Sequence, residues 1–439
     1  MELDPEFVEE FANLKVSTRP ISAEELKQFD EHQPLQERAQ PKHSSYAHIP
    51  QFFWVPPPPD DRLRNLLRKE AHSVFLQRQA DEQLNDEELQ QLWQHLKQHI
   101  TEITARKLEL INYNDYCKLQ SMVGEKCRNY LTTRLFAYLL SESPYLGFVE
   151  IVTIYNYAVR KVWTTKCRIG LSFYDEVGQG YLREFDLENY LMDLIPTLPQ
   201  ICDSMQPAFQ KFYVCTVIKR FFFFLDRLRT GRIRIRDMVT SGMINELMEL
   251  RKVVKEGEEG STTNHFSMPA VLGIYDSYLN LDSDRNGLLS KQELASFGSG
   301  TLSSAFLDRV FEESHTYDGE LDYKSFIDFA LALDNRQTPQ GLHYLFRMLD
   351  VQNAGFLTAQ TLCHFFKGIQ EQLAAYSDEA VNFEDIKNEI FDMVKPKEST
   401  KITLQDLHNC GQGETVVSIL IEFHKFWAYE NHNNDPQNV

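Results

Sequence analysis

Residues 281–294 read LDSDRNGLLSKQEL. Asp282, Asp284 and Asn286 place oxygen-bearing side chains at alternate positions, Gly287 follows, and Glu293 closes the run. Three carboxylates and an amide crowded this closely repel one another unless a cation lies between them. The stretch therefore raises a question about metal before it raises one about fold.

The order matches an EF-hand loop, in which ligands come from alternate positions, a glycine makes the sharp turn and a glutamate returns from the outgoing helix. Asp282, Asp284 and Asn286 fill positions 1, 3 and 5, and Leu288 offers its backbone carbonyl at position 7. Leu289 is the apolar eighth residue, Ser290 stands at 9 and Glu293 at 12. Calcium favours several hard oxygens at flexible angles, and glutamate has the extra methylene needed to reach back as a bidentate ligand. The flanks agree, with Val271, Ile274, Tyr275, Tyr278 and Leu279 forming an incoming apolar stripe and Leu294 and Phe297 an outgoing one. Ser290-x-x-Glu293 is also a capping box. The two readings are compatible, since Ser290 can cap the helix that carries Glu293.

Working outward, the same architecture recurs without its ligands. YDEVGQGYLREFDL keeps Asp175 but has Val177, Gln179 and a closing Asp186. LDRLRTGRIRIRDM keeps Asp226 and Gly231, while Arg227, Arg229, Arg232, Arg234 and Arg236 would repel a dication. SHTYDGELDYKSF has Gly319 and Leu321 in place but Ser314 and Ser325 at the ends. LDVQNAGFLTAQTL keeps Asp350, Gly355 and Leu357, with Ala354 and Thr361 where ligands belong. KPKESTKITLQDL, with Ile402 and Asp406, and ESPYLGFVEIVTIYN, with Gly147 and Val149, are weaker echoes. EF-hands work in pairs joined through their eighth residues, so Leu289 is expected to pair with Leu321, Leu357 with Ile402 and Val149 with Leu182. One competent calcium loop in an otherwise metal-free scaffold is expected.

Around these units the chain of 439 residues is 42% hydrophobic and has a net charge of -19, enough for more than one core and unfavourable to nucleic acid or an anionic membrane. Seven scattered cysteines without a Cys-x-x-Cys pair suggest unbridged, mostly buried thiols. The acidic start MELDPEFVEEFANL has no apolar core of a secretory signal, and FYVCTVIKRFFFFL is interrupted by Lys219 and Arg220. A cytoplasmic or nuclear protein is expected.

The organisation expected is mainly α, tandem EF-hand modules preceded by an N-terminal helical region. Residues 1–48 form a polar arm, and 49–135 a docking segment (IPQFFWVPPPPD, with Phe52, Phe53 and Trp54) and helices. A degenerate EF-hand-like module at 136–252 and a linker at 253–265 follow. An EF-hand pair with the calcium loop at 266–340 and a degenerate pair at 341–432 complete the chain. No catalytic constellation is present. GSGTLSS (298–304) imitates a phosphate loop but leaves a helix and lacks the following lysine. His364 reads as a core or boundary histidine, Phe221–Phe224 as core. The arginines at 227–236 are either a solvated face or a grip for an acidic partner or phosphate.

Several strings together, IPQFFW, SVFLQRQ, FFFFLD, HTYDGELDYKSF and IFDMVKPKESTKITLQDL, resemble the B'' regulatory subunits of protein phosphatase 2A over roughly residues 45–430. The likeness is to the gamma branch, to which the plant FASS/TONNEAU proteins are also similar. It implies a non-catalytic, EF-hand-built subunit that binds the phosphatase's scaffold and catalytic subunits and directs substrate choice and location. Calcium falls on Asp282, Asp284, Asn286, Leu288, Ser290 and Glu293. Other phosphatases or centrosomal proteins are further expected partners, and centrosomes or microtubule-organising structures further destinations. In the alpha/beta branch the loop resembling LDVQNAGFLTAQTL carries a full ligand set, which here is degraded. The competing reading is a stand-alone calcium sensor that binds target helices, although Met-rich grooves and multiple sites are usual there.

Overall fold

Helix ends are written into the sequence. Asn85 accepts the Glu88 amide at 2.7 Å while the Glu88 carboxylate takes the Asn85 N–H at 2.9 Å, a reciprocal cap that starts the helix Asp86–Gln98. Thr132, Ser303, Asp322 and Thr338 cap four later helices in the same sense. The computed structural model describes residues 62–104, 106–252, 264–376 and 381–433, in one compact unit that begins at Arg62. The polar arm, the IPQFFWVPPPPD segment and nearly all of the 253–265 linker lie outside the described residues.

The fold is mainly α, and its few strands are short ladders between loops. Four ladders join Ile111 to Val149, Leu182 to Ile233, Leu289 to Leu321 and Leu357 to Ile402. All of these residues are essentially solvent-free, because the eighth position of each loop points into the core between two helix pairs. The expected pairings of Leu289 with Leu321 and Leu357 with Ile402 are present. The expected pairing of Val149 with Leu182 is not. Val149 pairs with Ile111, in a loop between the helices Asp86–Gln98 and Tyr113–Met122, and Leu182 pairs with Ile233. The Ile111 loop carries Glu109 where the turn glycine would stand, and it folds as a hairpin in which Ile103 pairs with Glu109. The helix Ile151–Ser172 leaves the second of these loops and enters the third, tying the first two pairs together.

Three apolar cores follow, within residues 84–162, 171–271 and 278–426. Phe221 and Phe222 are buried and Phe223 and Phe224 half-buried on the helix Gln210–Leu225, as a core reading of that run requires. The face of this helix that carries Phe223 meets the helix Tyr323–Asp334, through a buried Thr216–Tyr323 hydroxyl contact of 2.8 Å and a Lys219–Asp328 ion pair of 2.8 Å. The GSGTLSS segment is a structural joint. Gly298 and Gly300 take left-handed φ, and the strand-like residues after them bond the C-terminal part, Ser303 N–H to the Ile421 carbonyl and Phe423 N–H to that of Thr301. Two expectations need correction. His364 is exposed on its helix, and of the seven cysteines, all unbridged, only Cys127 is fully buried.

Candidate metal centre

The helix Met268–Leu281 delivers Asp282, and the short helix Lys291–Leu294 delivers Glu293. Gly287 has φ +81°, a left-handed turn that glycine adopts without a Cβ clash. Ligand oxygens of Asp282, Asp284 and Glu293 all lie within 4.8 Å of one another. Two oxygens on one calcium ion can be at most about 5 Å apart, twice the usual bond length, so this span suits a shared cation. Among the described residues no other trio of His, Cys, Asp or Glu converges so closely.

The internal bonds show how each carboxylate is held. Asp282 accepts the amides of Asn286 at 3.1 Å and Gly287 at 3.0 Å. Glu293 spans the loop. One carboxylate oxygen takes the Ser283 N–H at 2.8 Å and the Asp284 N–H at 3.4 Å, and the other takes the Ser290 N–H at 2.9 Å and hydroxyl at 2.8 Å. The Ser290 amide chiefly, then the hydroxyl and the two loop amides, hold the Glu293 carboxyl below its ordinary range, against the opposing pull of burial. The Asn286 amide nitrogen donates to Asp284 and, across the ladder, to Glu320, at 3.1 Å each. The NH₂ group thus offsets some of the carboxylate charge, and ligation through the Asn286 oxygen requires the amide to turn about its last torsion. With that turn, the donor set fits a hard dication. Glu320 has no signal in the sequence, because it belongs to the loop that lacks ligands.

The degenerate loops keep half of this arrangement. Asp226 accepts Thr230 and Gly231 amides at 3.0 and 2.8 Å, Asp350 those of Ala354 and Gly355 at 3.0 and 2.7 Å, and Asp175 those of Gly178 and Gly180. At the closing position Asp186 takes the backbone N–H of Arg183, three residues back, while Asp406 takes the N–H and hydroxyl of Thr403 and also the backbone amide of Lys397. Both cap their helices, and Asp406 also ties its helix to the third residue of its loop, as Glu293 does through Asp284. The arginines of the strand Arg232–Arg234 lie over the Tyr181 ring, at 5.0 Å for Arg232 and 5.7 Å for Arg234.

Comparison with known proteins now bears on this geometry. A family profile described as an EF-hand domain matches residues 171–252, the pair built on Asp175 and Asp226. The gamma-type B'' regulatory subunit of serine/threonine-protein phosphatase 2A from Danio rerio is 50% identical over 389 residues, covering 88% of this chain and 84% of its own. This chain belongs to the B'' regulatory subunit family. The Homo sapiens gamma-type subunit is 49% identical over 90% of this chain, and the probable B'' protein TON2 of Arabidopsis thaliana is 38% identical over 90%. A chain of a solved structure named as the PP2A PR70 holoenzyme, with "diCa" in that name, aligns with a TM-score of 0.54 at 27% identity. It covers 60% of this B'' chain and 98% of its own length. No helix among the described residues is long and apolar enough to cross a membrane.

Proposed function

We propose that this chain is a non-catalytic B''-type subunit that binds the scaffold and catalytic subunits of protein phosphatase 2A and directs the enzyme's substrate choice. The observation that carries the reading is identity near 50% along almost the whole chain with B'' gamma subunits. A structural relative named as part of a PP2A holoenzyme supports the same assembly.

The loop at 282–293 is the calcium site of this reading. Asp282, Asp284 and Asn286 would supply side-chain oxygens, Leu288 its carbonyl, Ser290 a water-bridged or direct contact, and Glu293 both carboxylate oxygens. Calcium there neutralises converging charge and clamps the incoming helix to the outgoing one. Because the ladder partner loop at 314–325 lacks ligands, one ion per chain is the expected stoichiometry.

The test is affinity purification of the tagged full-length chain from cell extract with calorimetry on the purified chain. Recovery of scaffold and catalytic subunits with one bound calcium supports the reading. No phosphatase subunit in mild salt, with two or more cooperative calcium sites, would replace it with the stand-alone sensor.

A further inference from the structure

A cleft of about 1110 Å³ opens between the Asp226 loop, the helix Pro339–Leu349 and the residues around His408. Its wall carries Arg227, Arg229, His343 and His408. The guanidinium of Arg229 lies 5.3 Å from the Tyr344 ring centroid, and that of Arg347, behind the wall, lies 5.7 Å from it. The Nε of Arg347 is buried and meets no acceptor. Burial first, and then the neighbouring Arg229, Arg347, His408 and Arg227, hold the His343 pKa down.

The wall also holds four carboxylates, two of them paired with lysines and one bonded to backbone amides. Asp226 is bonded to the backbone of Thr230 and Gly231, Asp328 to Lys219 at 2.8 Å, and Glu184 to Lys324 at 3.1 Å. Glu414, exposed on the wall, is the remaining one. Among the described residues neither Arg227 nor Arg229, both exposed, has a carboxylate within ion-pair distance, so their guanidiniums are open to an incoming anion.

Shape and chemistry narrow the anion. The volume slightly exceeds the range of about 300–1,000 Å³ typical of small-molecule sites, which leaves room for an extended peptide. Leu228 stands between the two exposed arginines with 85% of its surface open, an apolar contact ready beside a charged one. Guanidinium forks match the oxygens of a phosphate monoester, whose charge of about -2 exceeds that of a carboxylate.

We propose that this cleft docks a peptide segment bearing phosphoserine or phosphothreonine, with Arg227 and Arg229 gripping the phosphate and Leu228 the neighbouring residue. The proposal rests on the phosphatase reading above and deepens it: substrates phosphorylated at more than one site would be held by one phosphate while another is removed.

The loop itself offers a mild variant. Arg229 has φ +51° at the fourth loop position, where the sister loop has Gly178 at φ +71°, so Arg229→Gly removes the guanidinium and relieves the backbone. Fluorescence anisotropy with the full-length chain would use a short labelled peptide with phosphoserine between leucines, alongside its unphosphorylated form. Saturable binding of the phosphopeptide alone is expected, weakened about tenfold or more in Arg227→Gln/Arg229→Gly. Leu228→Glu, a change at an exposed side chain that cannot unfold the core, is expected to weaken it similarly. No binding by the wild-type chain, equal binding of the unphosphorylated peptide, or unchanged binding in these variants overturns the proposal. Scaffold and catalytic subunit recovery, measured in parallel, is expected to be unchanged in the variants. Its loss in the variants, with no phosphopeptide bound by the wild-type chain, would make the cleft a subunit interface and end the proposal without touching phosphatase membership.

Discussion

The amide of Gly355 donates to the Asp350 carboxylate at 2.7 Å, in a loop whose other ligand positions are lost. Asp282 likewise accepts the Gly287 amide in the loop with a full ligand set. The first-position aspartate is thus a backbone anchor before it is a metal ligand. Its carboxylate satisfies two amides that the tight turn would otherwise leave unpaired.

Asp350→Ala separates the two roles. Losing the carboxylate strands the Ala354 and Gly355 amides beside a side chain only 6% exposed, so stability is expected to fall by about 1–3 kcal/mol. Calcium stoichiometry and affinity should stay unchanged, because the remaining loop offers no ligand set. Urea denaturation and calorimetry on the same variant read both quantities. A lost calcium site would mean that the 350–361 loop binds metal after all.

Glu293 tests reach. Glu293→Ala is expected to abolish calcium binding at the loop, since the remaining oxygens cannot complete the coordination shell. Glu293→Asp is the sharper variant. It should retain the Ser290 cap, as Asp186 does for Arg183, yet lose the second carboxylate contact that spans the loop to Ser283. Affinity is expected to drop by at least about tenfold, the loss of one charge-assisted contact or more, with the melting temperature of the calcium-free chain little changed. Calorimetry and thermal denaturation in chelator decide it.

Acid should act through the same residue. The folded-state pKa of Glu293 is depressed, chiefly by the Ser290 amide, and that of Asp406 by the Thr403 hydroxyl. In the window between depressed and ordinary values the unfolded chain holds more protons, so stability rises with pH there. The contribution is complete above the ordinary carboxylate pKa and is lost as pH falls through the folded value. In chelator, the melting temperature should decline on acidification, and Glu293→Gln should flatten part of that decline. An identical slope in the variant would remove Glu293 from the account.

Much of this is legible in the sequence, for a physical reason. Gly287, Leu289 and Glu293 each serve a local demand, turn, ladder and closure, and local demands leave a spacing signature. The Ile111 loop is hidden because its turn lacks a glycine and its ladder contact with Val149 is set by a helix pair that the spacing of KLELINYN does not reveal. With that loop unseen, Leu182 is the nearest visible neighbour for Val149, and the pairing goes astray. His364 misleads because flanking aromatics suggest burial, whereas successive helix residues face different sides, and Phe365 turns inward while His364 faces out. The Arg229–Tyr344 contact joins residues from separate helix pairs, and a distance of that kind has no trace in spacing.

The ladder itself should couple core packing to metal. Leu289 and Leu321 exchange both backbone hydrogen bonds at 2.8 Å, and both side chains are fully buried. Leu357 occupies the equivalent place opposite Ile402, also fully buried, in a pair without a competent loop. Leu321→Ala and Leu357→Ala should therefore cost similar stability, about 2–5 kcal/mol for a truncated core leucine. Only Leu321→Ala should weaken calcium, since the cavity loosens the strand that positions Leu288 and Ser290 on either side of Leu289. By linkage, saturating calcium would then restore less stability to Leu321→Ala than to Leu357→Ala, at about 2.7 kcal/mol for an intact site at a hundred times Kd. Melting curves of both variants with calcium and with chelator make the comparison, and equal calcium shifts would show that the ladder does not transmit packing to the loop.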